Sequence, residues 1–553
     1  MKRHIRKIVV IITIATTSIF TIGFTESSYF EVSKNLDIFA TLFRELNIYY
    51  VDDANPGELM KTGIDAMLKS LDPYTNYIPE SKMEDYKMMT TGQYGGIGAL
   101  IQTQKDKVVI SEPYKGFGAD NAGLRAGDKI IKIDGNDAVG KNSSEIREFL
   151  LGQPGTTLEM VIERPGTTEL INKTVTRSEV KIKDVPYSGI VGDDIGYLRL
   201  TGFTSSASAE VKAAINQLKE QGAKSLILDL RGNGGGLLRE SVNIVNFFIK
   251  KETLIVSTRG KIKDWDVEYK ALNTPIDTEI PLAILINGGS ASASEIVSGS
   301  LQDNDRAVIL GSLSFGKGLV QNVRSLSYNS KLKVTVAKYY TPSGRCIQKL
   351  DYSHKNKNGR ANEVPDSLIT EFKTVNSKRS VFDGKGISPD IEVKRNLLSN
   401  ISTSLLLKSL FFGYATEFRL NNDSISNAKD FSLTDGQYEE FVHYLADKDY
   451  EYTTESEDLL VELEKAAKDD KYFDDVKAEY EALKNKLNHN KKGDLYKFKD
   501  EIKFILENEI VTRYHYQKGQ IEASLQHDLV LDEAIKTLKD KELYDSILAG
   551  TNK

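Results

Sequence analysis

A chain of 553 residues is too long for a single hydrophobic core, and three or four domains are expected. Its 27% charged and 40% hydrophobic residues are ordinary for soluble globular protein, and a net charge of −6 gives no electrostatic footprint for nucleic acid. The one cysteine, Cys346, excludes an internal disulfide and a cysteine-based zinc site; the six histidines do not cluster at metal-ligand spacing, so no metal or cofactor is expected.

Residues 2–7 carry Lys2, Arg3, Arg6 and Lys7, and an uncharged apolar run follows from Ile8 to Thr25. A basic cluster before an apolar run is the pattern of a signal peptide or signal anchor over residues 1–25. A buried helix of a cytosolic protein is the other reading, and the basic cluster argues against it. The pattern places the rest of the chain outside the cytoplasm, in the periplasm or cell envelope, secreted or held by an N-terminal membrane anchor. Residues 26–88 read as an N-terminal helical region, with Leu36, Phe39, Ala40, Phe43 and Leu46 at helical spacing and a second helix from Gly57 to Leu71 that ends at Asp72-Pro73.

Residues 89–178 alternate like strands with turns. Tyr94-Gly95-Gly96-Ile97-Gly98-Ala99-Leu100-Ile101 is a glycine loop running into a strand, able to aim consecutive N–H groups at one anion. A nucleotide phosphate loop is the rival, but no Gly-Lys-Ser/Thr follows. The segment from Ala119 to Gly135, with Ala122-Gly123-Leu124-Arg125-Ala126-Gly127-Asp128, closely resembles the centre of a PDZ domain. That resemblance implies that Gly96, Ile97 and Gly98 hold the carboxylate of a chain end added as a strand to the sheet edge.

Residues 179–397 read as an α/β core of stacked βα units. Ile195–Leu200, Ser225–Leu230 and Pro281–Ile286 are predicted strands, and Ala207–Gln221 an amphipathic helix. Arg231-Gly232-Asn233-Gly234-Gly235-Gly236 follows one strand; it is either a tight turn or a source of backbone donors, and it lacks the lysine of a phosphate loop. Asn287-Gly288-Gly289-Ser290-Ala291-Ser292-Ala293-Ser294-Glu295 follows another strand and leads into a helix. Such a turn can lift one side chain clear and leave the first helical N–H groups free for an anion. Ser290, Ser292 and Ser294 are all candidate nucleophiles on composition. There is no histidine between His4 and His354, which excludes a Ser-His-Asp triad within this segment. A lysine kept neutral by burial can replace it, and Lys317 stands in Phe315-Gly316-Lys317-Gly318.

Ser-Ala-Ser-Ala-Ser-Glu, with the lysine of Phe-Gly-Lys-Gly-x-Val-Gln 25 residues after its middle serine, resembles the carboxyl-terminal processing peptidases, or tail-specific proteases. The resemblance implies a multidomain α/β protein with a crotonase/ClpP-like protease core. It implies Ser292 as nucleophile, Lys317 as base and Gln321, one helical turn past the lysine, as its orienting partner. The oxyanion would be held by Ala293 N–H and by one glycine of the Asp-Leu-Arg-x-Asn-x-Gly-Gly stretch; the sequence does not decide among Gly234, Gly235 and Gly236, and Gly235 is the one favoured. Tyr340-Thr341-Pro342-Ser343-Gly344-Arg345 and Gly384-Lys385-Gly386-Ile387-Ser388-Pro389-Asp390 are similar to further family segments, and residues 351–380 between them read as a surface loop. The expected activity is endopeptidase action on proteins recognised by their free C-termini. The alternative is a non-catalytic PDZ scaffold in the envelope, for which the Ser292–Lys317 pair would be superfluous.

Residues 398–553 are densely charged and poor in Gly and Pro, with Leu459, Leu460, Leu463 and Ala466, then Ile502, Ile505, Leu506 and Ile510, at helical spacing. This is a C-terminal helical domain, and it leaves a homodimer interface or a lid open as roles.

Overall fold

The computed structural model describes residues 29–394, 397–487 and 491–551; the expected signal segment lies outside the described residues. The chain divides into two compact units that meet in sequence between Tyr77 and Ile78. In the first, α1 (29–49) and α2 (Pro56–Lys69) form as the spacing predicts. Asn55 caps α2 by accepting from Gly57 N at 2.9 Å, and Pro56 supplies the fixed first φ. On α1, Leu36, Phe39 and Leu46 are exposed and Phe43 is half-buried.

In the second unit α3 (Met83–Thr91) precedes the strand-rich segment expected to be a PDZ domain. Strands β1 (Gln93–Gly96), β2 (Ala99–Gln104), β3 (Lys107–Pro113), β4 (Lys129–Ile133), β5 (Thr157–Glu163), β6 (Ile171–Thr176) and β7 (Ser178–Lys181) surround α4 (Ser143–Leu150). The antiparallel order is β2-β3-β4-β5-β6, which leaves β2 at an edge, and β1 pairs with β7. An Asn142/Glu145 capping box starts α4, whose Ile146 and Leu150 enter a core with Ile97, Ile110, Ile130 and Ile162.

The α/β core is built on a six-stranded sheet: β8 (Tyr187–Val191), β9 (Ile195–Arg199), β10 (Ser225–Asp229), then β13 (Leu282–Ile286), β14 (Val308–Gly311) and β17 (Ile391–Glu392). Only β8 is antiparallel to its neighbour. A second antiparallel sheet has the order β15-β16-β11-β12, from β11 (Leu254–Gly260), β12 (Val267–Lys270), β15 (Leu319–Ser325) and β16 (Lys331–Tyr340). Helices α5 (Ala207–Glu220), α6 (Leu238–Asn246) and α7 (Ala293–Asp303) pack on one face of the parallel sheet against Leu226, Leu228, Ile284 and Ile286. Both faces are covered, which is why these strands are unbroken apolar runs rather than alternating ones. The expected surface loop at 351–380 is instead two short hairpins, Leu350–Lys355 with Ala361–Glu363 and Glu371–Lys373 with Ser380–Phe382. Their strands are too short and too exposed to carry an alternating apolar pattern.

The C-terminal segment is helical as expected: α8 (Asn400–Leu407), α9 (Leu410–Asn421), α10 (Asp435–Tyr444), α11 (Glu455–Asp469), α12 (Phe473–Leu487), α13 (Lys491–Lys497), α14 (Lys499–Ser524), α15 (Leu529–Lys539) and α16 (Lys541–Ala549). Phe411, Tyr414, Phe441, Ile502, Leu506 and Ile510 share its core, whereas Leu459 and Leu463 of α11 are exposed. The segment is not one separate body. Helix α14 breaks at Tyr516 (φ 57°, ψ −170°), and beyond it Ile521, Leu531, Ala534, Tyr544 and Ile547 cover the other face of the parallel sheet.

Candidate active site

The chain leaves β13 and turns sharply into α7. At Asn287 the side-chain oxygen accepts from Gly232 N and Gly289 N, both at 2.9 Å, fastening the turn at its start. Two of the three serines are spent on structure. Ser290 Oγ accepts from Asn287 N at 2.9 Å and donates to Leu230 O at 2.8 Å, and Ser294 Oγ donates to Asn233 O at 2.8 Å. Both are fully buried. Ser292 is only half-buried and has φ 56°, ψ −109°, a conformation that L-residues rarely adopt. A strained residue at a strand-to-helix turn is how a hydroxyl is presented above a sheet. Ala293 is the first residue of α7, so its N–H has no acceptor within the helix.

Glu295, to which the sequence assigned no chemistry, joins the two motifs. Its buried carboxylate accepts from Ser292 N at 2.7 Å and Lys317 N at 2.9 Å on Oε2, and from Ser314 Oγ at 2.6 Å and Gly316 N at 2.7 Å on Oε1. Burial pushes this carboxyl above its ordinary range, with the hydrogen bonds from Ser314, Lys317, Gly316 and Ser292 opposing. The shared oxygen holds the Ser292 and Lys317 backbone nitrogens within about 5.6 Å of each other. Two further contacts tie the segments: Phe315 N donates to Ser290 O at 3.0 Å, and Tyr339 OH to Ser292 O at 3.2 Å.

The glycines around Lys317 are required by close approach. A β-carbon at Gly316, where φ is +85°, would lie 2.5 Å from Lys349 Cβ, and one at Gly318 would lie 2.9 Å from Gln348 N. Lys317 itself is half-buried. Gln321 is not one helical turn on. It lies in β15, where four residues span about 13 Å rather than one turn, and its Nε2 donates to Thr335 Oγ1 at 3.2 Å across the hairpin. The strand arises because Leu319–Ser325 pairs along its length with β16, the register jumping from Ala337 to Thr335 at Gln321.

The glycine loop after β10 closes the other side. Asn233, fully buried, donates Nδ2 to Leu200 O at 2.8 Å and offers its own carbonyl to Ala291 N and Ser294 Oγ. Gly235 (φ +98°) abuts the bend: a β-carbon there would be 2.7 Å from Ala291 O and 2.9 Å from Ser292 Cβ. Its N–H, however, donates to Asn233 Oδ1 at 2.9 Å. In this arrangement Gly235 shapes the site and does not offer a free donor. Among the described residues no group of three or more His, Cys, Asp or Glu is arranged to hold a metal ion.

In the PDZ domain, Gly96, Ile97 and Gly98 join β1 to β2 at one end of a cleft of about 220 Å³ between β2 and α4. Tyr94, Ile97, Leu100, Ile101, Arg147 and Leu150 line it. Gly98 (φ +72°) must be glycine, since a β-carbon would sit 2.5 Å from Phe117 Cβ. Burial pushes the Tyr94 phenol up to about 12, and Arg147 Nη1 is paired with Asp85 at 2.6 Å.

Comparison with known proteins agrees with these features. Residues 194–353 match the profile of peptidase family S41, residues 109–164 that of a PDZ domain, and residues 401–538 that of a probable PDZ-protease C-terminal helical domain. A carboxy-terminal-processing protease of Bartonella bacilliformis is 38% identical over 319 residues, 57% of this chain and 73% of the relative. A probable CtpA-like serine protease of Staphylococcus haemolyticus is 29% identical over 453 residues, 78% of this chain and 82% of the relative. Among solved structures, the photosystem II D1 C-terminal processing protease is 28% identical and covers 65% of this chain and 93% of its own, with a TM-score of 0.35. The chain belongs to peptidase family S41, among its PDZ-bearing carboxy-terminal-processing serine proteases.

Proposed function

We propose that the protein is an endopeptidase working through a Ser292–Lys317 dyad on extracytoplasmic proteins whose C-terminal tails enter the PDZ cleft. The observation that carries this is the Glu295 bridge, which brings the lysine's backbone beside the one serine of the bend that is not fully buried. Ser292 Oγ attacks the peptide carbonyl. Neutral Lys317 takes the proton and returns it to the leaving amine, and water then releases the acyl-enzyme with the same base. Ala293 N–H faces the developing oxyanion; Gly235 would add a second donor by releasing Asn233 Oδ1. Glu295 and Gln321 act on position, not on the substrate. The open edge of β2 accepts the tail as an added strand.

Ser292→Ala and Lys317→Ala are each expected to abolish peptide cleavage with the circular dichroism spectrum unchanged. Retained cleavage by either variant would overturn the dyad. The basic-then-apolar residues 1–25 support export. A reporter active only outside the cytoplasm, fused after Lys553, should be active, and a silent, stably made fusion would count against it.

A further inference from the structure

A loop of glycines has no side chains with which to hold itself in place. At Gly232 and Gly234 nothing lies within 4 Å of where a β-carbon would be. The loop beside Ser292 therefore takes its position from its anchors. Asn233 is one, and the bridge from Gly236 to Phe203 holds the loop's far end. At its near end, where the chain leaves β10, the anchor is Arg231.

Arg231 is held between two carboxylates. Its Nε donates to Asp229 Oδ1 at 2.9 Å and its Nη2 to Asp229 Oδ2 at 2.6 Å. Asp229 is fully buried and also accepts from Tyr197 OH at 2.7 Å. The second carboxylate comes from 297 residues further on: Arg231 Nη1 donates to Asp528 Oδ1 at 2.8 Å and Nη2 to Asp528 Oδ2 at 2.5 Å. Asp528 is the N-cap of α15, accepting from Val530 N and Leu531 N at 3.1 Å each. The Arg231 and Asp528 side chains are only 15% and 14% exposed, so solvent does little to screen the pair.

We infer that Asp528 is a positioning residue for the catalytic bend, which makes the C-terminal helices on the sheet's outer face part of the protease site. The path is contiguous. Asp528 fixes Arg231; the next residue, Gly232, donates to Asn287 Oδ1 at the foot of the nucleophile turn. Three residues on, Gly235 lies against Ser292. Without the Asp528 carboxylate Arg231 keeps its pair with Asp229 but loses the anion that holds the outer edge of its guanidinium, so that edge would turn toward water and loosen the loop that starts at the next residue. The inference rests on the reading of Ser292 as nucleophile.

The test uses full-length protein carrying Asp528→Asn. Asn caps a helix as well as Asp does, so α15 keeps its start and only the second anion is lost. For a peptide substrate, kcat per fluorophosphonate-titrated site should fall at least tenfold with KM within twofold. Amides 232–236 should exchange hydrogen for deuterium at least tenfold faster, with those of β10 unchanged. Asp528→Glu should recover part of kcat. Asp532→Asn, the same charge change four residues along α15, should behave as wild type. Wild-type kcat with unchanged loop exchange in Asp528→Asn overturns the inference, as does a lowered melting temperature with full kcat per titrated site. If wild type and Ser292→Ala are equally silent on peptide, the Ser292 reading falls, and loop exchange alone still decides for or against Asp528.

Discussion

Gly235 and Ser292 approach so closely that a β-carbon on the first would stand 2.9 Å from the β-carbon of the second. The contact spans two segments that leave neighbouring parallel strands, and only a residue without a side chain fits it. Gly235→Ala should therefore push the nucleophile bend away from the loop. Backbone atoms at 2.7 Å and 3.0 Å cannot rotate aside, and φ +98° adds strain for any L-residue. We predict a loss of about a hundredfold or more in kcat, comparable to losing an oxyanion donor, with the protein still folded. Steady-state kinetics on a peptide checks it; a variant within fivefold of wild type would refute the close fit.

Glu295→Gln keeps the shape and changes the hydrogen bonding. An amide carries one acceptor oxygen, so two of the four donors around this fully buried side chain lose their acceptor. Each stranded buried donor costs about 1–3 kcal/mol. The expectation is a lower melting temperature together with a drop in kcat of at least tenfold, because Ser292 and Lys317 are no longer held by one group. Normal turnover at reduced stability would make Glu295 purely structural.

The same residue carries a pH signature. Burial raises the Glu295 carboxyl above its ordinary 4.5, so the folded state holds that proton more tightly than the unfolded chain. Its contribution to stability is full below pH 4.5 and is lost as pH rises through the raised value. Glu295→Gln has no proton to lose. Calorimetry from pH 4 to pH 8 should show the variant furthest below wild type at the acid end and gaining on it as pH rises. A constant gap would mean that Glu295 titrates alike in both states.

The serines of the bend separate in the same way. Ser290→Ala leaves the half-buried Asn287 N–H without its acceptor and Leu230 O without its donor, and Ser294→Ala frees Asn233 O of one of its two donors. Both should lower stability, by about 1–3 kcal/mol for the first and about 1 kcal/mol for the second, while keeping fluorophosphonate labelling. Ser292→Ala alone should abolish labelling. Labelling lost in Ser294→Ala and kept in Ser292→Ala would move the nucleophile.

Much of this was legible in the amino-acid order, and the part that was not has a common cause. The buried strands showed as apolar runs because both sheet faces are covered, and the PDZ segment showed through closely spaced glycines that positive φ demands. Glu295 three residues after Ser292 looked like a helix-start acid. Its other partners, Ser314, Gly316 and Lys317, come from a different motif and meet it only in the fold. Gln321 falls on a strand and not one helical turn past the lysine, as Val320 and Val323 favour; the resemblance carries the glutamine's identity and not its backbone. Asp528 and Arg231, 297 residues apart, share no local pattern at all. Contacts that join distant segments through polar groups leave no periodicity to read.

The PDZ cleft should be separable from the dyad. Leu100 lies on β2, the edge strand, and is 47% exposed, so a polar residue there leaves the domain's core intact. Leu100→Asp removes apolar lining and sets an anion beside the end of the cleft where Gly96, Ile97 and Gly98 stand. On the proposed reading, a peptide with a free C-terminus would bring its own carboxylate to that end. The like charge and the lost contact together should weaken peptide binding at least tenfold, and amidating the wild-type ligand should weaken it as well. Hydrolysis of a small activated ester at Ser292 needs no tail and should stay within twofold of wild type. Calorimetric binding of the peptide and ester turnover, measured on one preparation, decide it: undiminished affinity in Leu100→Asp would take tail recognition away from this cleft.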